Sequence, residues 1–87
     1  MAKIFKTDNT TELIEPKNGE HFSLEEMQEI VGGYIELVYL PNNEILVVNE
    51  EGLYNDSKIN YLAIEETRYQ HGILWGEILL CNQNQIQ

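Results

Sequence analysis

Cysteine and long apolar runs are both scarce in this sequence of 87 residues. Its one cysteine, Cys81, cannot form an intramolecular disulfide bond or a thiolate metal cluster, so we expect a protein of a reducing compartment, the cytoplasm. No apolar run approaches the roughly 20 residues that a membrane-spanning helix needs. The segment from Met1 to Thr7 has no apolar stretch of the kind found in secretory signals. We therefore expect the protein to be neither exported nor inserted in a membrane.

Basic side chains are also few, because five lysines and arginines stand against fifteen aspartates and glutamates, which gives a formal net charge of −10. Affinity for nucleic acids comes mainly from basic groups that neutralise phosphates, so direct binding of DNA or RNA is not expected. The same charge attracts basic surfaces of other proteins, although it also fits a role in solubility alone. The basic residues are scattered along the chain, at Lys3, Lys6, Lys17, Lys58 and Arg68.

The length and composition predict one small globular domain. A content of 43% hydrophobic and 23% charged residues is typical of chains that fold. The domain is predicted over residues 1–81, and residues 82–87 form a polar tail rich in Asn and Gln. A core of this size is marginal and has no disulfide or metal to support it, so we also expect self-association, most simply as a homodimer.

The clearest local signal is that of a helix over Leu24–Val31. Ser23 is a favourable N-cap, and Glu26, three residues later, completes the pattern of a capping box. Apolar residues recur through the segment at helical spacing. The pair Gly32-Gly33 provides a left-handed stop. A helix of two turns is too short to be stable alone, so it is expected to pack on a sheet.

Five β-strands are predicted around this helix, which gives the order ββαβββ. The fold class is α+β, with a small, mostly antiparallel sheet and one short packed helix. Turn-forming residues between β-type runs predict two hairpins, and we expect the second to lie at the sheet centre. Residues 53–60 are predicted to be an ordered loop, with room for a helical turn around Asn60–Ile64. The predicted strands are Ala2–Thr7, Thr11–Pro16, Tyr34–Leu40, Glu44–Asn49 and Gly72–Cys81.

The middle of the chain carries two short motifs, Val-Gly-Gly-Tyr-Ile-Glu over residues 31–36 and Asn-Glu-Glu-Gly over residues 49–52. Together with the segment from Ile73 to Cys81, which has Gly76 at a kink, they resemble a family of small proteins classed as a numbered domain of unknown function. The resemblance covers Phe22 to Cys81. It implies no activity and no catalytic residue. It does imply a setting, since members of that family occur widely in phages, plasmids and other mobile elements of bacteria, where interaction with host proteins and counter-defence are common tasks.

Two groups of glutamates and one group of tyrosines are the candidate partner-binding residues. On the helix, no lysine or arginine offsets the carboxylates, and a second acidic pair follows the fourth strand. Tyrosines exposed in the loop region are typical interface anchors, with packing of the loop onto the sheet as the alternative. The candidates are Glu25, Glu26, Glu29, Glu50, Glu51, Tyr54, Tyr61 and Tyr69.

Signals for catalysis and for metal binding are weak. The candidate general bases are His21 and His71, and no nucleophile is paired with either. The carboxylates near Glu50 lack the regular ligand spacing of a calcium loop. We therefore expect no enzyme activity, no cofactor and no metal site.

Two functions of different classes fit these observations. The first is a non-enzymatic binding protein of a phage or mobile element, which modulates or inhibits a host protein by engaging its basic surface, for example a nucleic-acid groove. The second is a small-molecule sink that binds a nucleotide-like ligand as a homo-oligomer. An anionic ligand needs positive charge, for which Lys58 and Arg68 are the local supply.

Overall fold

The computed structural model describes residues 2–52, 58–70 and 72–86. Over these residues the chain forms five β-strands and two α-helices, so the α+β class is confirmed and the order is ββαββαβ rather than ββαβββ. None of the described helices is long and apolar enough to cross a membrane. The elements are β1 (Ala2–Phe5), β2 (Thr11–Ile14), α1 (Leu24–Val31), β3 (Ile35–Tyr39), β4 (Glu44–Asn49), α2 (Tyr61–Thr67) and β5 (Ile78–Asn82), followed by a short 3-10 turn, Gln83–Gln85.

The strands form one antiparallel sheet in the order β2-β1-β5-β4-β3. Both predicted hairpins are present, and β5 joins them by pairing with β1 on one side and β4 on the other. The prediction that the second hairpin lies at the sheet centre is wrong for β3, which is an edge strand. The centre belongs to β5 because its residues Ile78–Cys81 are apolar on both faces, as a strand covered on both faces requires.

One face of the sheet is covered by α1, which begins and ends where predicted. The Ser23 hydroxyl accepts a hydrogen bond from the Glu26 amide at 3.1 Å, and the Glu26 carboxylate accepts one from the Ser23 amide at 3.1 Å. Gly32 ends the helix with a left-handed φ of 81°. The core on this face, here called the first core, consists of Ala2, Ile4, Phe22, Met27, Val31, Ile45, Val47, Leu79 and Cys81.

The opposite face is covered in part by α2, for which the sequence predicts only a helical turn. The helix begins after Asn60, whose Oδ1 accepts a hydrogen bond from the Ala63 amide at 2.9 Å. It ends at Arg68, which has a left-handed φ of 54°. The helix is hard to predict because it has seven residues, no acidic first turn and no glycine at its end. The second core lies here and consists of Phe5, Leu46, Val48, Ala63, Leu74 and Ile78.

The polar residues near the C-terminus pack against the domain. Asn82, where the predicted tail begins, is the last residue of β5. The Gln85 carbonyl accepts a hydrogen bond from the Phe22 amide at 2.7 Å, and Ile86 packs against the first core. The described part of this segment therefore contributes to the fold next to the start of α1.

Candidate functional site

A groove between the end of β2 and α1 gathers carboxylates from two parts of the chain. Glu26, Glu29 and Ile30 lie on one side of α1, because residues three and four positions apart are neighbours on a helix surface. The segment after β2 supplies the opposite wall. The groove has a volume of about 360 Å³. This acidic groove is lined by Ile14, Glu15, Lys17, Glu26, Glu29 and Ile30.

Glu26 is the carboxylate of the acidic groove that the backbone holds in place. Its Oε1 accepts a hydrogen bond from the Ser23 amide at 3.1 Å, and its Oε2 accepts one from the Lys17 amide at 3.0 Å. The hydrogen bond from the Lys17 amide is the main cause of a lowered pKa of Glu26, and the bond from the Ser23 amide adds to it. Glu26 is therefore ionised at neutral pH. Glu26 therefore joins the preceding loop to the start of α1.

The groove carboxylates form no ion pair within the described part of the chain, where the ion pairs are Lys6–Glu12 and His21–Glu20. Three carboxylates and one ammonium group, that of Lys17, give the groove a net charge of −2. Glu29 is exposed and lines the groove, whereas Glu25 is exposed on α1 outside it. The acidic groove is therefore an uncompensated negative surface around two half-buried isoleucines.

Glu50 and Glu51 lie in the turn after β4, beside the C-terminal end of α1. The Asn49 side chain holds this turn, since its Nδ2 donates to the Val31 carbonyl at 3.0 Å and its Oδ1 accepts from the Glu51 amide at 2.8 Å. Glu51 lines a shallow pocket beside Tyr34, and Glu50 lines a different pocket next to the second core. The structure therefore places these two glutamates at separate pockets, and neither lines the acidic groove.

The candidate tyrosines occupy different environments. Tyr54 lies outside the described residues. Tyr61 begins α2 and is 65% exposed, whereas Tyr69 follows that helix and packs against the second core. A helix of this length, about 10 Å, separates the two. The most exposed described tyrosines are Tyr34, directly before β3, and Tyr39, the last residue of β3. Their exposure is not predicted from the sequence, because the sequence pattern assigns both residues to a strand.

A second cavity, also of about 360 Å³, lies between the end of α2 and the sheet, and we call it the α2 cavity. Lys3 reaches it from β1 and Arg68 from the end of α2, and neither forms an ion pair with a described residue. The sequence predicts that Lys58 and Arg68 supply the positive charge for an anionic ligand. In the structure, Lys3 rather than Lys58 lines this cavity with Arg68. The sequence signal for the position of Lys3 is the alternation of side chains along β1, which places Lys3 and Ile4 on opposite faces of the sheet. Residues that line the α2 cavity include Lys3, Phe5, Glu44, Glu66, Arg68 and Leu80.

The side chains that could act as a nucleophile or a general base do not lie together in the described part of the chain. Cys81 is buried in the first core, and this burial raises the pKa of its thiol to about 11, which disfavours a reactive thiolate. His21 lies beside Glu20 at 3.9 Å, and His71 lies outside the described residues. Among residues 2–52, 58–70 and 72–86, no three His, Cys, Asp or Glu side chains are grouped so as to hold a metal ion. Among the recesses of the described surface, the acidic groove is lined mainly by carboxylates and the α2 cavity by both signs of charge.

Comparison with known proteins bears on the identity of the chain. No curated protein and no solved structure matches it. The family described as a domain of unknown function, DUF3846, matches residues 3–86, which include the acidic groove, the α2 cavity and every residue of the two cores except Ala2. The chain therefore belongs to the DUF3846 family.

Proposed function

We propose that this domain is a non-enzymatic binding protein that engages a basic segment of a partner protein through the acidic groove. The observation that carries the proposal is the composition of the groove, in which three carboxylates without ion-pair partners among the described residues surround Ile14 and Ile30. A lysine or arginine side chain has the matching chemistry. Its aliphatic stem can cover the isoleucines while its charged head meets the carboxylates.

The partner in this proposal is a host protein, and the outcome is modulation or inhibition of that protein. The resemblance to proteins of phages and other mobile elements supports this setting. Basic surfaces of host proteins often serve to bind nucleic acids. A net charge of −10 on 87 residues speeds the encounter with such a surface. In the cytoplasm, occupation of that surface would exclude nucleic acid and so counter a host defence protein.

A matched pair of charge-neutralised variants tests the role of the groove. Glu15→Gln/Glu29→Gln removes its two exposed carboxylates, and Glu65→Gln/Glu66→Gln removes two exposed carboxylates of α2. Both variants have the same net charge. The probe is a fluorescent peptide rich in arginine and leucine, followed by anisotropy. We expect the groove variant to lose about twofold to thirtyfold in affinity, because two exposed ion pairs are worth roughly 0.2–1 kcal/mol each, and the control to stay close to the wild type.

Equal losses of peptide affinity in the two variants would contradict the proposal, because binding would then follow net charge alone. The same pair applies to affinity capture from lysate of the bacterial host, with mass spectrometry of the retained proteins. A host protein that is retained by the wild type and the α2 control, and lost from the groove variant, would be the partner that the proposal requires. A protein retained equally by all three would not use the groove.

A second candidate function is binding of a small anionic ligand, of the nucleotide class, in the α2 cavity. Lys3 and Arg68 supply positive charge there, and Phe5 and Leu80 supply apolar surface. The ammonium group of Lys3 lies 6.0 Å from the centroid of the buried Phe5 ring, an arrangement that favours its position beside the cavity. Glu44 and Glu66 line the same cavity and can accept hydrogen bonds from amino or hydroxyl groups. In this alternative the protein acts as a sink for the ligand, as a homo-oligomer.

Native mass spectrometry of freshly purified protein and thermal shifts against a panel of nucleotides test the second candidate. Lys3→Gln and Arg68→Asn should abolish any shift, and Lys17→Gln should preserve it. Asparagine is chosen at position 68 because it tolerates the left-handed φ of 54° found there. The absence of both a retained ligand and a shift in melting temperature would contradict this candidate.

A further inference from the structure

The outer edge of β3 carries backbone groups that no described residue pairs. The Leu40 amide donates to the Glu44 carbonyl at 2.9 Å, and the Glu50 amide donates to the Tyr34 carbonyl at 2.9 Å. Because hydrogen-bonded pairs alternate along an antiparallel ladder, the even-numbered residues from 34 to 40 face β4. The N–H and C=O groups that point away from the sheet belong to Ile35, Leu37 and Tyr39.

The other edge of the sheet, β2, is shorter and more polar than β3. β2 has four residues, Glu12 lies within it and pairs with Lys6 at 2.9 Å, and Pro16 follows it closely. Short strands, charged side chains and prolines are the usual means by which sheet edges avoid pairing with another chain. β3 also contains a glutamate, Glu36, and is followed two residues later by Pro41, but it has five residues and the other four are apolar or aromatic. The β3 edge is therefore the longer and more apolar of the two edges that could accept an added strand.

The side chains that accompany the outward groups of β3 form an apolar row. Ile35 and Leu37 pack partly against the first core, and Tyr39, on the same side of the strand, is 67% exposed. On the opposite side β3 carries Glu36 and Val38. An added strand with the same sequence would extend the apolar layer of the first core beyond β3.

We infer that β3 pairs with β3 of a second copy of this chain, antiparallel and with a two-fold axis at Leu37. In this register Leu37 faces the partner's Leu37, and Ile35 faces the partner's Tyr39. Glu36 faces the partner's Val38, so no two carboxylates are directly opposed. The outward groups of both strands are satisfied by about six new hydrogen bonds.

The helices leave room for this pairing. α1 packs over β4 and β5 more than over β3. With strands about 4.8 Å apart, the two copies of α1 would lie roughly 19 Å from each other on one face of the joined sheet. Packed helices need only about 8–10 Å. The pairing therefore leaves an open channel between the helices, floored by the two β3 strands.

Cysteine cross-linking tests the register. Leu37→Cys places two thiols on the two-fold axis, where the opposed Cα atoms of a hydrogen-bonded pair are about 5.5 Å apart, within the range of a disulfide bond. Tyr39→Cys is the matched control, because its two copies would lie about 14 Å apart along the strands. The native Cys81 is 2% exposed and so contributes equally little to either variant. We expect dimers of Leu37→Cys, and not of Tyr39→Cys, on a non-reducing gel after mild oxidation.

Analytical ultracentrifugation of the unmodified protein provides the second measurement. We expect a concentration-dependent dimer that strengthens with added salt, since each copy carries a net charge of −10. Tyr39→Asp changes an exposed side chain and should shift the equilibrium toward the monomer without unfolding the protein. Equal cross-linking in the two cysteine variants would overturn the inference. A wild type that remains monomeric at all concentrations would overturn it too, and would leave the edge to a strand of a different protein.

Discussion

The side-chain amide of Asn60 donates a hydrogen bond to the backbone carbonyl of Phe5 at 2.8 Å, and this bond ties the start of α2 to β1 across 55 residues of chain. The same Nδ2 donates to the Gly76 carbonyl at 2.7 Å, and the Oδ1 accepts from the Ala63 amide at 2.9 Å. The Asn60 side chain is fully buried. One amide therefore holds three segments together beneath α2.

Replacement of Asn60 by alanine should lower the free energy of unfolding by roughly 2–4 kcal/mol, because two carbonyls lose their donor and α2 loses its N-cap. Urea unfolding followed by circular dichroism measures the change. Asn84→Ala, at an exposed position, is the control and should stay within about 0.5 kcal/mol of the wild type. An Asn60 variant as stable as this control would show that the three hydrogen bonds do not support the fold.

Gly33 leaves little room for a side chain, because a Cβ at this position would lie 3.0 Å from the Nδ2 of Asn49. Gly33→Ala should displace that amide and weaken its hydrogen bond to the Val31 carbonyl, at a cost of about 1–2 kcal/mol. In an Asn49→Ala background the same substitution should cost much less. A double-mutant cycle of urea unfolding measures the difference, and additive costs would contradict the contact.

Acidification should release the bond between α1 and the loop before it. The pKa of Glu26 is lower in the folded protein than the ordinary glutamate value of 4.5, because the backbone amides of Lys17 and Ser23 donate to its carboxylate. A lowered pKa contributes stability that is present above the unfolded pKa and lost as the pH falls through the folded one. The wild type should therefore lose stability more steeply than Glu26→Gln below about pH 5.

Urea midpoints of the wild type and Glu26→Gln, measured over a series of pH values, test this prediction. Glu25→Gln removes the neighbouring exposed carboxylate and serves as the control. Curves that remain parallel for wild type and Glu26→Gln, down to the acid limit of folding, would contradict a structural role for the Glu26 carboxylate.

The thiol of Cys81 should be unreactive in the folded protein, because it is buried in the first core and its pKa is raised to about 11. Reaction with a chromogenic disulfide reagent should be slower than in denaturant by a factor of roughly 10³ or more, which reflects the small population of unfolded chains. The absorbance of the released thiol measures the rate. Complete labelling within seconds in native buffer would contradict the burial of this side chain.

Local signals made α1 predictable almost residue by residue. Its capping box at Ser23 and Glu26 and its stop at Gly32 all lie within or beside the helix. The position of β5 was harder to predict, because it depends on pairing between residues far apart in the chain. One clue was present, since the run Ile78–Cys81 is apolar without a polar face, as in a central strand. The helix α2 has weaker local signals, because its N-cap Asn60 has no capping-box partner at Ala63 and its end at Arg68 has no glycine.

The grouping of the candidate site residues could be predicted only for residues that lie on the same helix. Glu26 and Glu29 could be assigned to a shared side of α1 from their spacing. The approach of Glu15 could not, because it requires the loop between β2 and α1 to fold back onto the helix. The grouping of Lys3 and Arg68 in one cavity could not be predicted either, because Lys3 lies on the first strand and Arg68 at the end of α2. Spacing along a chain carries no information about such long-range neighbours.

The central place of β5 also has a consequence for how the protein is made. A ribosome releases both hairpins and α1 before it completes Ile78–Asn82, so the hairpins have no strand to join them while synthesis continues. The inner edges of β1 and β4 remain open during that time. We expect the sheet to close only after translation has passed β5, because both of its neighbouring strands pair with residues that are made last.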